Sequence, residues 1–156
     1  MSANCPWLND QAAFRPFLTV GAAGPYREVN LCRAEEVQPL LDRLGLALAG
    51  FRYTPLDCIF FLLSLKEAVL NGLRHGNGGD PAKQVRVRFR VAFGEVLIDV
   101  EDEGSGFIPH LVPDPTLAEN LDRPSGRGLF LMRSCTTWMN HSGGGRRVTL
   151  FKRRAG

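Results

Sequence analysis

The stretch from Thr54 to His75 constrains the fold more than any other part of the chain. Thr54, Pro55 and Asp57 read as a helix start: Thr54 as N-cap, Pro55 at the first helical position, Asp57 as the acidic third residue. The helix is expected to run to about Arg74 or His75 and to stop at Gly76-Asn-Gly-Gly. Its first half is apolar nearly all round, with Ile59, Phe60, Phe61, Leu62, Leu63 and Leu65. Such a segment is expected to be a central, buried helix covered by other elements.

The rest of the pattern supplies those elements. Tyr26 to Leu31 is a plausible short strand. Val37, Leu40, Leu41, Leu44 and Leu48 mark an amphipathic helix of about Glu36 to Ala49, with Pro39 in its first turn and Gly50 at its end. Val85, Val87, Phe89 and Val91 alternate with Arg86, Arg88 and Arg90, the period of a half-buried strand. A turn at Phe93-Gly94-Glu95 leads to Val96, Ile98 and Val100, the second strand of an antiparallel hairpin. Residues 103 to 125 hold Pro109, Pro113, Pro115 and Pro124 and read mainly as loop. A short helix from Gly128 to about Thr136 follows, then a last hairpin of Thr137 to His141 and Arg147 to Arg153. The order predicts an α+β two-layer sandwich, a mixed β-sheet with helices on one face.

Composition narrows the class. The chain has 156 residues, 44% apolar and 22% charged, which suits one globular domain with a real core. Residues 26–156 would form that domain. Residues 1–25 show no sustained period and read as an extended or poorly ordered arm, whose Trp7, Phe14 and Phe17 could dock on the domain or on a second subunit in a homodimer. A formal charge of +3 does not by itself imply nucleic acid. Cys5, Cys32, Cys58 and Cys135 lack paired metal-ligand spacing and read as reduced, structural thiols, buried where Cys58 and Cys135 sit in apolar segments, in a cytoplasmic protein. There is no secretory signal pattern, and the run Ile59 to Leu65 is too short to span a bilayer. Arg86, Arg88 and Arg90 share one sheet face, either simply solvated or a patch for an acidic partner.

Three motifs carry chemistry. Glu67, Asn71 and His75 recur at i, i+4 and i+8, one stripe of the apolar helix. The bland reading is a polar face hydrogen-bonded to neighbouring backbone. The functional one gives Asn71 an amide oxygen for Mg²⁺, Glu67 a carboxylate to orient or deprotonate an attacking hydroxyl or water, and His75 a contact with phosphate or lid. Asp102 opens Asp-Glu-Gly104-Ser-Gly106 at a strand end, where a carboxylate can accept from an adenine amino group and the glycines let backbone approach a ligand. Gly126-Arg127-Gly128 stands directly before an apolar helix, whose N-terminal N–H groups can bind phosphate. Arg127 either adds charge near the γ-phosphate or is solvated. Neither a P-loop nor a dinucleotide fingerprint is present. Each motif alone is weak, and an Asp-Gly turn is ordinary. In this order they argue for ATP, Mg²⁺ and phosphoryl transfer, with the proline-rich segment between the second and third as a lid.

Taken together, these residues resemble the N, G1 and G2 boxes of the GHKL ATPase superfamily over about residues 26 to 154. The stretch Glu67 to Asn77, and Asp114-Pro-Thr with the later Ser-Gly-Arg-Gly-Leu-Phe-Leu-Met-Arg, is similar to its anti-sigma factor serine kinase branch. The resemblance implies a Bergerat-type ATP-binding fold, Mg·ATP, phosphorylation of a serine on a small anti-anti-sigma partner, and a surface that sequesters a sigma factor. It makes Glu67 the general base, Asn71 the Mg²⁺ ligand and Asp102 the adenine acceptor beside Gly104 and Gly106, with Gly126 and Gly128 lining the phosphates. The sequence departs from the family where a Thr often follows a Gly near the last strand. Here Arg146 follows Gly145 and Thr149 comes later. The N-terminal arm is also longer than the family core needs. Two other readings stand beside the kinase: a nucleotide-gated module that sequesters a regulator without phosphoryl transfer, and the ATP-binding portion of a sensor histidine kinase, which the lack of a preceding helix with a phospho-acceptor His disfavours.

Overall fold

The computed structural model describes residues 26–122 and 126–154. The N-terminal arm, the docking expected of Trp7, Phe14 and Phe17, and Pro124 lie outside the described residues. Strand β1 (Arg27–Leu31) is followed by helices α1 (Val37–Gly50) and α2 (Pro55–Asn71) and the hairpin β2 (Val85–Val91) and β3 (Glu95–Glu101). A long connection leads to α3 (Arg127–Cys135), then β4 (Trp138–Ser142) and β5 (Arg147–Arg153).

The five strands form one sheet in the order β1-β2-β3-β5-β4. The α+β sandwich matches expectation, but every adjacent pair is antiparallel where the sequence reading had a mixed sheet. Chain reversals explain the difference. One helix between two strands brings them back parallel. Here two helices separate β1 from β2, which adds a reversal and leaves them antiparallel. Strands β3 and β4 run the same way but do not touch, because β5 lies between them.

The core fills the space between one sheet face and the helices. Strand alternation sends Leu31, Val87, Phe89, Ile98 and Leu150 inward to meet Leu40, Leu44, Leu48, Phe61, Leu65 and Val69, all at most 1% exposed. Truncating a wholly buried side chain such as Phe61 to alanine would cost about 3–5 kcal/mol.

Helix α2 starts as its sequence dictates, with Asp57 N–H donating to Thr54 Oγ1 at 3.1 Å. It is not buried all round. Leu56, Ile59 and Phe60 are 61%, 60% and 40% exposed, because only the stripe through Phe61, Ser64, Leu65 and Ala68 reaches the core. Cys58 and Cys135 are half-buried free thiols, as is Cys32.

The outer sheet face is a lattice of mixed charge. Glu28 and Glu101 lie within 4.0 Å of both Arg86 and Arg88, Arg147 pairs with Glu101 at 3.0 Å, and Arg90 with Glu95 at 3.2 Å. Exposed pairs of this kind stabilise by about 0–1 kcal/mol each. They offset much of the positive charge, so the arginines form a face of mixed, paired charge and not a run of free cations.

Candidate nucleotide site

A cavity of about 590 Å³ opens between the C-terminal end of α2, the ends of β3 and β5, and the start of α3. Its size falls within the usual range for small-molecule sites. Helix α2 brings Glu67 and Asn71 to its wall, both half-buried. Neither side chain has a hydrogen bond or ion pair among the described residues. The stripe is therefore not a polar face satisfied by neighbouring backbone.

The helix does not continue as an α-helix to His75. It ends at Asn71 and widens into a π turn, Gly72–Gly76, closed by Asn77 N–H donating to Gly72 O at 2.8 Å. The wider turn shifts His75 off the i, i+8 position, though it still lines the cavity, exposed, beside Arg74. Single π turns often accompany functional sites. Here the packing requires small residues at both ends. A β-carbon on Gly72 would lie 3.0 Å from Val85 Cγ2, and one on Gly76 would overlap the Asp102 carboxylate.

Asp102 lines the cavity just past β3. Its N–H donates to Arg146 O at 3.0 Å, and its Oδ1 accepts Gly104 N–H at 2.8 Å. Burial raises the carboxyl above its ordinary value, opposed by the Gly104 N–H and by the charges of Arg146 and Lys83. Gly106, at φ 80°, is also a wall residue. Gly104 is not among the cavity walls. Its backbone packs so closely on Gly76 that a β-carbon there would overlap Gly76 O, and its N–H holds Asp102 Oδ1.

Helix α3 begins at the third motif. Gly126 is its N-cap in the left-handed region, φ 87°, and among the described residues no side chain caps the first turn. Those N–H groups are thus open to an anion. Gly126, Arg127 and Gly128 all line the cavity. Arg127 is neither simply solvated nor committed to a phosphate position, since its Nη2 donates to Leu121 O at 2.9 Å. A β-carbon on Gly128 would lie 3.1 Å from Glu67 Oε2 and 3.2 Å from Asn71 Nδ2, so the first and third motifs converge.

The segment expected to be mainly loop has a scaffold of its own. It contains 3-10 turns at Pro109–Leu111 and Ala118–Asn120. Asn120, 6% exposed, donates to Asp114 O at 2.9 Å, and the Asp114 carboxylate accepts from Thr116 N–H and Oγ1. Val112 reaches the cavity.

The sequence reading missed several wall residues. Val100, Met132 and Val148 are ordinary core residues by pattern, and only topology reveals that they line the same cavity as Asp102. His141 carries no motif. It stacks edge-on against Phe107 at 5.3 Å, and burial, then the Arg133 charge, lowers its pKa. Arg146 was noted only as a departure from the usual Thr, and it proves to be part of the wall. Thr149 cannot replace that Thr, because it bonds Asp99 Oδ1 at 2.5 Å on the face opposite Val148.

No helix among the described residues is long and apolar enough to cross a membrane. No curated protein matches the chain. The model of the histidine kinase-like ATPase domain matches residues 33–152, which takes in all three motifs, strands β2 to β4 and all but the last residue of β5. With this match and the α+β architecture, the chain belongs to the histidine kinase-like ATPase domain family, of the GHKL type, whose domains bind ATP.

Proposed function

We propose that this protein is an ATP-dependent serine/threonine protein kinase that phosphorylates a small anti-anti-sigma-like partner and thereby switches partners with a sigma factor. One observation carries the catalytic part: Glu67 and Asn71, without protein partners among the described residues, face Gly128 at the start of α3, whose N-cap is a glycine with no side chain to offer. A potential base, a metal ligand and an anion-binding helix end thus meet on one cavity wall.

The residues fit Mg·ATP. The described residues hold no cluster of three or more His, Cys, Asp or Glu side chains able to cage a metal. A single amide oxygen at Asn71 suits Mg²⁺, which favours few protein ligands with phosphate and water oxygens beside them. When bound, Mg·ATP would supply the γ-phosphoryl group to the hydroxyl oxygen, with ADP as the leaving group and Mg²⁺ offsetting its charge. The chain does the rest by position. Asp102 accepts from the base, and the first-turn N–H groups of α3 hold phosphate oxygens. Glu67 orients the partner's hydroxyl and takes its proton at a carboxylate oxygen. The segment 107–122 would close over the site and keep water from competing.

The anti-sigma branch rests on the likeness of Glu67 to Asn77 and of the run from Asp114 to Arg133, and cytoplasmic action goes with it. Affinity capture in Mg·ATP, followed by mass spectrometry, tests it. A small captured protein carrying a new phosphoserine is expected. Capture without phosphorylation would favour a nucleotide-gated binding module.

A further inference from the structure

We propose that Asn77 is the positioning residue for Asp102, and that it gives the site its preference for a purine bearing a 6-amino group. The inference rests on the reading of Asp102 as the base acceptor.

Asn77 follows the π turn and is 3% exposed. Its Oδ1 accepts Glu103 N–H at 2.8 Å, across 26 positions of sequence. Its Nδ2 is buried without a hydrogen-bond partner among the described residues. An unpaired buried amide N–H is costly, and an apolar side chain would fill the same space without it. What the amide contributes is the hold on Glu103 N–H.

That hold completes a clamp. Asp102 N–H donates to Arg146 O at 3.0 Å, Glu103 N–H to Asn77 Oδ1 at 2.8 Å, and Gly104 N–H to Asp102 Oδ1 at 2.8 Å. Three successive donors thus have three different acceptors. Only the middle one depends on a side chain from another element. The Glu103 carboxylate returns to Gln84 N–H at 2.6 Å, so the same residue is also tied to the approach to β2. Gly76, next to Asn77, packs directly on the Asp102 carboxylate. Asn77 therefore fixes the distance between the end of the Glu67–Asn71 helix and the base acceptor. It need touch no ligand to do so.

A loosened clamp leaves Asp102 in the cavity but no longer at a fixed place. The loss should fall on recognition of the amino group and spare contacts shared by all purine nucleotides. The test compares the dissociation constants of ATP and purine riboside triphosphate, which lacks the 6-amino group, with Mg²⁺ present. The wild type is expected to prefer ATP about 10- to 100-fold, the scale of one hydrogen bond to a charged acceptor. Asn77→Ala should reduce that preference to within about threefold and release the Glu103 amide to fast hydrogen exchange. Asn77→Asp keeps the accepting oxygen and should keep the preference, since its added charge acts on both nucleotides alike. If Asn77→Ala does not fold, Asn77→Ser replaces it, because a hydroxyl on Cβ falls short of the Glu103 N–H. A folded Ala or Ser variant with the wild-type preference overturns the inference and leaves the reading of Asp102 intact. A wild type without preference overturns that reading, and the role of Asn77 with it.

Discussion

Gly76 abuts Asp102 so closely that no β-carbon fits between them: one built on Gly76 would overlap the carboxylate itself. The end of the α2 helix and the base loop are thus packed backbone against side chain. Gly76→Ala should force the Asp102 carboxylate from its place. Overpacking of this kind costs about 1–3 kcal/mol, so the variant should fold with a lowered melting temperature. Its ATP affinity should fall by more than about tenfold, beyond what lost stability explains. Calorimetry with and without Mg·ATP separates the two effects.

Asp102 also sets a pH dependence. Burial raises its pKa in the folded state, so its protonated form is favoured there. The linked stability is fully present below the unfolded pKa and is lost as pH rises through the folded one. Ionised Asp102 therefore costs the unliganded fold some stability at neutral pH. Asp102→Asn should melt no lower than wild type at pH 7 without nucleotide, because the amide oxygen can still accept Gly104 N–H. The same variant should lose most of the melting shift produced by Mg·ATP. In wild type, ATP affinity should decline on acidification at a pH above that of an ordinary aspartate. Differential scanning fluorimetry across pH checks both limbs.

The elements were largely legible in the sequence because local rules decided them. Thr54-Pro55 began α2 where capping and proline geometry require, and the alternation of Val85 to Val91 became β2 to the residue. What was not legible depends on contacts between distant segments. The antiparallel pairing of β1 with β2 follows from counting chain reversals, which periodicity does not do. The exposure of Ile59 and Phe60 follows from how far the neighbouring elements reach. Of the site, the motifs named Glu67, Asn71 and Asp102, while the packing of Gly104 on Gly76 came only with the structure. His141 and Met132 reach the cavity only through tertiary placement.

Asn71 offers a test of the metal. Asn71→Ala removes a half-buried amide that has no protein hydrogen bond among the described residues, so the fold should lose little stability. Mg²⁺-dependent tightening of ATP should largely vanish. Titrations with ATP in Mg²⁺ and in EDTA measure this, and equal Mg²⁺ dependence in the variant would make Asn71 structural.

The lid should respond to nucleotide. Arg127 Nη2 holds Leu121 O, and Gly126 packs on Pro113 O, so the lid is tied to the very helix start that would bind phosphate. Residues 107–122 should gain hydrogen-exchange protection on adding Mg·ATP. Arg127→Ala should increase exchange around Leu121 without nucleotide. Identical exchange in both states would mark the segment as a static connection.

Glu67 decides between kinase and binder. Its carboxylate lies one helical turn before Asn71 and faces Gly128; as the proposed base it would meet the hydroxyl and leave the phosphates to α3. The decisive measurement is the single-turnover rate of phosphoryl transfer to the captured anti-anti-sigma-like partner, wild type against Glu67→Gln, with Mg·ATP affinity measured in parallel. Loss of a general base should slow transfer by about 10²–10⁴-fold while ATP and partner affinity stay within about threefold of wild type. Transfer at the wild-type rate in Glu67→Gln, or none in a wild type that binds both ATP and partner, would contradict the proposed kinase mechanism.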